Sequence, residues 1–134
     1  MSDVTVRQMR LVVHAADYEE AVSFYRDALG MAELESHSGE GGAEVMILDA
    51  GRATLELSNP AQIEFIDDVE VGRRVAPHFR VAFEVEDTGA ATHAAVAAGA
   101  RLIAEPVETP WRSLNSRLDG PAGIQLTLFQ ELGG

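Results

Sequence analysis

The chain contains no cysteine and no lysine. The first absence excludes disulfides, thiolate metal sites and cysteine nucleophiles, and the second excludes Schiff-base chemistry on a lysine amine. All ten basic residues are arginine, set against 22 Asp and Glu, for a formal net charge of −12. An acidic balance of this size argues against nucleic acid or an anionic membrane as partner, because both demand a basic surface. No run of about 18 apolar residues offers a membrane span. No basic-then-apolar leader opens the sequence, so a cytoplasmic setting without membrane attachment is the default expectation.

What is present is ordinary in bulk and informative in pattern. With 134 residues, 46% of them hydrophobic, the chain can fill one core but is short for two. The organising stretch is Asp17 to Gly30, DYEEAVSFYRDALG. Asp17 is placed to cap a helix, Glu20 stands three residues on as in a capping box, and Gly30 suits a left-handed exit. Between them Ala21, Val22, Phe24, Tyr25, Ala28 and Leu29 predict an apolar face on one helix.

The plan repeats 70 residues later, where Asp87 opens a second helix that stops at Gly99. A strand-like alternation precedes each helix: Met9, Leu11 and Val13 before the first, Phe79, Val81, Phe83 and Val85 before the second. The chain is therefore expected as a single domain spanning 1–134, built of module one (about 5–59), a linker (60–76) and module two (about 77–131). In module one, three short strands near 32–36, 44–48 and 53–58 follow the helix. In module two, strands near 100–104, 113–118 and 124–129 do so, with a two-proline turn over 105–111. The linker reading of 60–76 is preferred to a flap over a pocket, although Pro60 can start a helical turn.

These residues resemble the vicinal oxygen chelate superfamily, which includes glyoxalase, bleomycin-resistance and extradiol dioxygenase proteins. The resemblance rests on DYEEAVSFYRDALGM, VEDTGAATHAAVAAGARLIAEP and LDGPAGIQLTLF and covers residues 9 to 131. It implies an α+β fold in which paired βαβββ modules form a cup-shaped eight-stranded mixed sheet with helices outside and a small-molecule cavity inside, commonly in a homodimer. On that fold, Met9, Leu11, Val13, Leu55, Leu57, Val81, Phe83, Val85, Leu126 and Leu128 face the helices. Arg10, Val12, His14, Thr54, Glu56, Ser58, His78, Arg80, Ala82, Gln125, Thr127 and Phe129 then face the cup.

Metal-dependent relatives carry one ligand on each of four strands, and the resemblance puts those positions at Arg10, Glu56, Arg80 and Thr127. Only Glu56 is of ligand type. A protonated guanidinium has no lone pair to give, and a divalent ion about 5 Å from it would feel roughly 6–7 kcal/mol of repulsion at an effective dielectric constant of about 20. No cofactor is therefore expected. A divalent metal held by His14, Glu56 and His78 is the low-probability alternative, and His37 and His93 read as surface residues.

The preferred reading makes Arg10, Glu56 and Arg80 a charge cluster on the cavity floor. One carboxylate between two guanidiniums leaves an excess of positive charge suited to an anionic ligand such as a carboxylate or enolate. A purely structural ion pair is the competing reading, and under either Glu56→Ala is expected to destabilise strongly. Trp111 and Phe129, with Tyr25 a weaker candidate, are expected to form an aromatic wall. Gln125 and Thr127 complete the candidate ligand-binding set, while Arg112 and Arg117 read as solvated surface charge. There is no GxSxG and no phosphate loop.

Three functions remain open: a protein binding a small organic ligand, anions among the candidates, in a metal-free cavity; a metal-dependent isomerase, lyase or dioxygenase, or a metal-free enzyme using Glu56 as general base; and a non-catalytic accessory protein. The first is preferred.

Overall fold

A computed structural model describes residues 4–28 and 30–133, without the side chain of residue 122. Residues 1–3, most of the expected N-terminal tail, and Leu29, expected on the first helix's apolar face, lie outside the described residues.

Alternation of apolar and polar residues produces eight strands: β1 (Val6–His14), β2 (Glu33–Ser38), β3 (Glu44–Asp49), β4 (Thr54–Ser58), β5 (Phe79–Val85), β6 (Arg101–Glu108), β7 (Ser113–Asp119) and β8 (Gln125–Glu131). They form one mixed, unclosed sheet in the order β2-β3-β4-β1-β5-β8-β7-β6. β1 and β5 run antiparallel at its centre, each flanked by a parallel strand of its own module, β4 and β8. The fold is α+β, as the repeat implied. β6 runs through Pro106 to Glu108, past the short strand expected over 100–104 and into the two-proline turn expected over 105–111, and its place at the sheet edge explains the tolerance: an edge strand can spare the donor that proline lacks.

Two helices pack outside the sheet. The first, α1 (Tyr18–Val22), starts where expected: the Asp17 carboxylate accepts from the Glu20 backbone N–H at 3.0 Å. It then widens into a π-helical turn, Ser23–Ala28, instead of continuing as α-helix, and Gly30 leaves it at φ 73°. Tyr18, Ala21, Val22 and Tyr25, at i, i+3, i+4 and i+7, pack with Met46, Leu48 and Leu57. Phe24 falls off that stripe and is 52% exposed, and Ala28 is exposed too, which corrects their assignment to the apolar face.

The second outer helix, α3 (Thr88–Ala97), is capped by Asp87 at 3.0 Å and covers Val85, Leu118 and Leu128. Because α1 rests on β4 and α3 on β6, β7 and β8, part of the central seam stays uncovered. Met9 and Phe79, expected beneath the helices, are exposed there for that reason.

Residues 60–76, read from the sequence as a linker, contain a helix, α2 (Pro60–Glu70), that closes the other face of the sheet. Asn59 caps it by accepting from the Gln62 N–H at 2.8 Å, Pro60 begins it, and Gly72 at φ 87° follows it. It touches β3 and β4 on one arm of the sheet and β6 and β7 on the other. Its inward stripe, Ile63, Ile66, Asp67 and Glu70, holds two buried acids, which is why apolar periodicity alone did not reveal it. Among the described residues no helix is long and apolar enough to cross a membrane.

Candidate functional site

Strand register builds the floor of the cavity. On β1 and β5, Arg10 pairs with Ala82 and Val12 with Arg80, so the two arginines stand at diagonal corners around a small apolar centre. Val12, Ala82 and Phe129 pack together there. Glu56 lies beside Val12 on β4, and Thr127 beside Ala82 on β8. The four positions singled out by the family resemblance thus converge on one face, and with α2 above them they line a cavity of about 470 Å³. Phe129 and Trp111 line it as well.

The two floor arginines differ in their surroundings. Arg10 donates from Nε to Gln8 Oε1 at 2.6 Å, and its terminal nitrogens lie 3.7–3.8 Å from Glu35, Glu56 and Glu131. Its guanidinium sits 4.9 Å from the centroid of the Phe129 ring. Arg80 is 5% exposed, donates from Nη1 to Thr127 Oγ1 at 2.7 Å, and has a buried Nε with no hydrogen-bond partner. Among the described residues no carboxylate oxygen comes within ion-pair distance of Arg80, and Glu70, Glu56 and Asp67 act on it only from farther off. Burial, and then Arg117, push its guanidinium below the usual range. Leaving such a buried donor unmet costs about 1–3 kcal/mol.

Burial pushes the Glu56 carboxyl above its ordinary value, against the pull of Arg80 and Arg10. Its removal would leave Arg10 with Glu35 and Glu131, and Arg80 with the partner it already has. The strong destabilisation expected of Glu56→Ala is therefore replaced by a mild one.

Arg117, expected on the surface, is fully buried. It donates to Asp67 Oδ1 at 2.9 Å, to Glu70 Oε1 at 2.8 Å and to Gln125 Oε1 at 3.0 Å. Asn115 Nδ2 meets the other Glu70 oxygen at 2.7 Å, and the second Asp67 oxygen accepts from the backbone N–H groups of Val75 and Ala76. This network fastens α2 to β7. Gln125, expected to line the cavity, serves the network instead and also donates to the Val75 carbonyl at 3.1 Å.

The remaining candidates separate cleanly. Tyr25 packs on the outer core under α1, away from the cavity, with its ring edge-on to Phe24. His14 and His78 have ring centroids 6.1 Å apart near the strand ends and do not line the cavity with Glu56. His37 stands exposed at the rim, 3.2 Å from Glu35. Arg112 lines the mouth and pairs with Glu108 at 3.0 Å. Sequence reasoning missed Phe65, Asn115 and Glu70 as lining residues. The readable signal for Phe65 and Glu70 was Asn59-Pro60, a helix start that places them on one element.

A family model described as Glyoxalase/Bleomycin resistance protein/Dioxygenase superfamily matches residues 7–128. The chain belongs to that superfamily. A search of curated protein sequences finds no significant match. Among solved structures, a hypothetical protein, BH1468, from Bacillus halodurans C-125 is similar at TM-score 0.69 and 15% identity, over 99% of this chain and 98% of that one. Methylmalonyl-CoA epimerase from Mycobacterium tuberculosis follows at TM-score 0.64 and 20% identity, over 96% and 88%. A superfamily member from Vibrio splendidus 12B01 aligns at 0.60 and 15%, over 95% and 100%. At these identities the likeness establishes the fold.

Superfamily members often hold a metal ion, but the floor of this member does not fit one. Of its four positions two are guanidiniums, and a third, Thr127, already receives a hydrogen bond from Arg80. Among the described residues no three His, Asp or Glu side chains are grouped to hold an ion, so the His14, Glu56 and His78 alternative is not assembled.

Proposed function

We propose that this protein binds a small organic molecule through an anionic oxygen, a carboxylate or enolate, in a cavity that uses arginine where relatives use metal. The observation that carries this is Arg80: a buried guanidinium in the cavity wall with one hydroxyl partner and an unmet Nε donor. An acceptor oxygen that reaches the part of this guanidinium lining the cavity gains a charge-assisted hydrogen bond. Arg10, held only loosely by its carboxylates, offers a second donor face. The test is thermal shift followed by calorimetry against a panel of carboxylates, phenols and antibiotics. Carboxylate binding that is lost in Arg80→Met supports the reading, and carboxylate binding that survives this substitution refutes it.

A second reading, proton-transfer catalysis without metal, draws on Glu56. Burial raises its carboxyl above the ordinary value, the direction that favours a general base, and it lies 3.8 Å from the Arg10 guanidinium with Arg80 acting on it from farther off. Glu56 would take a proton from the carbon next to a carbonyl, the C–H electron pair passing to the carbonyl oxygen. Arg80 and Arg10 would hold the resulting enolate until the proton returns. Deuterium exchange into a bound ketone or thioester, absent in Glu56→Gln, distinguishes this from simple binding.

A further inference from the structure

The cavity has a second, chemically different end. Above the charged floor, Phe65 from α2 and Trp111 from the β6–β7 turn meet at 6.1 Å between ring centroids, tilted by 45°. Both line the cavity, yet Trp111 is 48% exposed, a large ring left at the opening instead of in the core.

The turn that presents it is held tightly. Thr109 N–H donates to the Ser113 carbonyl at 2.7 Å, Arg112 N–H to the Thr109 carbonyl at 3.0 Å, and Ser113 N–H to Thr109 Oγ1 at 3.1 Å. Arg112 sits at φ 63°, the one non-glycine residue at positive φ among those described. Unfavourable backbone of this kind persists where the surrounding structure over-determines it, and here it belongs to the hydrogen-bonded turn that carries Trp111. At the floor the side chains between the two arginines are small, Val12 and Ala82, with the Phe129 ring packed against them.

Resting on the acid-binding reading above, we infer that the ligand is an aromatic acid, with its carboxylate on Arg80 at the floor and its ring against Trp111 and Phe65 at the mouth. A saturated ring of similar bulk would fill the space without the edge and face contacts available to an aromatic one. The cavity volume, about 470 Å³, falls within the range of small-molecule sites.

Three probes on the wild-type protein test this without relying on a variant to fold: hydrocinnamate, its saturated counterpart cyclohexanepropionate, and the neutral hydrocinnamamide. Trp111 is the only tryptophan, so its fluorescence reports ring contact while calorimetry gives affinity. Hydrocinnamate is expected to shift Trp111 emission. It should bind roughly threefold to tenfold tighter than cyclohexanepropionate and at least about tenfold tighter than the amide. In Trp111→Leu the aromatic-to-saturated ratio should fall to about one. Equal affinity for the two acids with unchanged emission overturns the aromatic assignment and leaves acid binding intact. Equal affinity for hydrocinnamate and its amide overturns acid binding itself, and no binding of any probe at millimolar concentration overturns both.

Discussion

Arg80 and Arg117 face the same side of the sheet, two strands apart, and both are buried. Arg117 spends its donors on Asp67, Glu70 and Gln125, all within 3.0 Å. Arg80 has Thr127 at 2.7 Å and a bare Nε. Burial and charge are alike, and what differs is satisfaction. A guanidinium whose hydrogen bonds are filled by the chain is a strut, and one left partly unmet in a cavity wall is where the proposed function puts the ligand's anionic oxygen.

The largest effect expected of this contrast is on stability. Arg117→Met leaves Asp67 and Glu70 buried without their cation and should cost about 3–5 kcal/mol in urea denaturation. A loss below about 1 kcal/mol would mean that the network is not the strut described. Arg80→Met removes one hydroxyl bond together with an unmet donor, so stability should move by no more than about 1 kcal/mol. Affinity for carboxylates should nevertheless drop at least about tenfold in titration calorimetry. Equal destabilisation by the two substitutions would erase the distinction.

Glu56 sharpens it through pH. Its carboxyl is raised in the folded protein, so the folded state keeps a proton that the unfolded chain releases. Stability from this group is therefore fully present at low pH and declines as pH rises above its ordinary value of 4.5. Glu56→Gln should remove that part of the decline, read as a flatter profile of unfolding free energy between acid and neutral pH. A steeper decline in the variant would reverse the sign argued here.

The smallest effect belongs to Arg112. Relieving its left-handed backbone with glycine gains about 1–2 kcal/mol, offset by the roughly 0.5–1 kcal/mol of extra freedom glycine gives the unfolded chain. Arg112→Gly should thus raise stability by roughly 0–1.5 kcal/mol in thermal melts, where a clear loss would show that this turn is not strained.

Much of this was legible in the residues. Alternation with period two set which side chains of β1, β4, β5 and β8 share a face, and the 70-residue offset of Asp17 and Asp87 aligned the modules. The family resemblance then put Arg10, Glu56, Arg80 and Thr127 on one floor, and all four line the cavity. What escaped was the other wall. Residues 60–76, which hold Asp67 and Glu70, read as a linker and Arg117 as surface, because the two acids pair with Arg117 across 50 and 47 positions. Local pattern carries no information about pairing across that distance. The π-helical turn was equally invisible, since its residues keep an amphipathic spacing that an α-helix would satisfy too.

The sequence by itself determined the duplicated modules and the caps at Asp17 and Asp87, because each follows from short-range periodicity and side-chain chemistry, and the family resemblance added a cavity floor that carries two arginines. Only the tertiary structure decided which arginine is spent and which is free. That depends on whether distant carboxylates arrive within hydrogen-bond reach, and the packing of α2 across the sheet delivers them to Arg117 and not to Arg80.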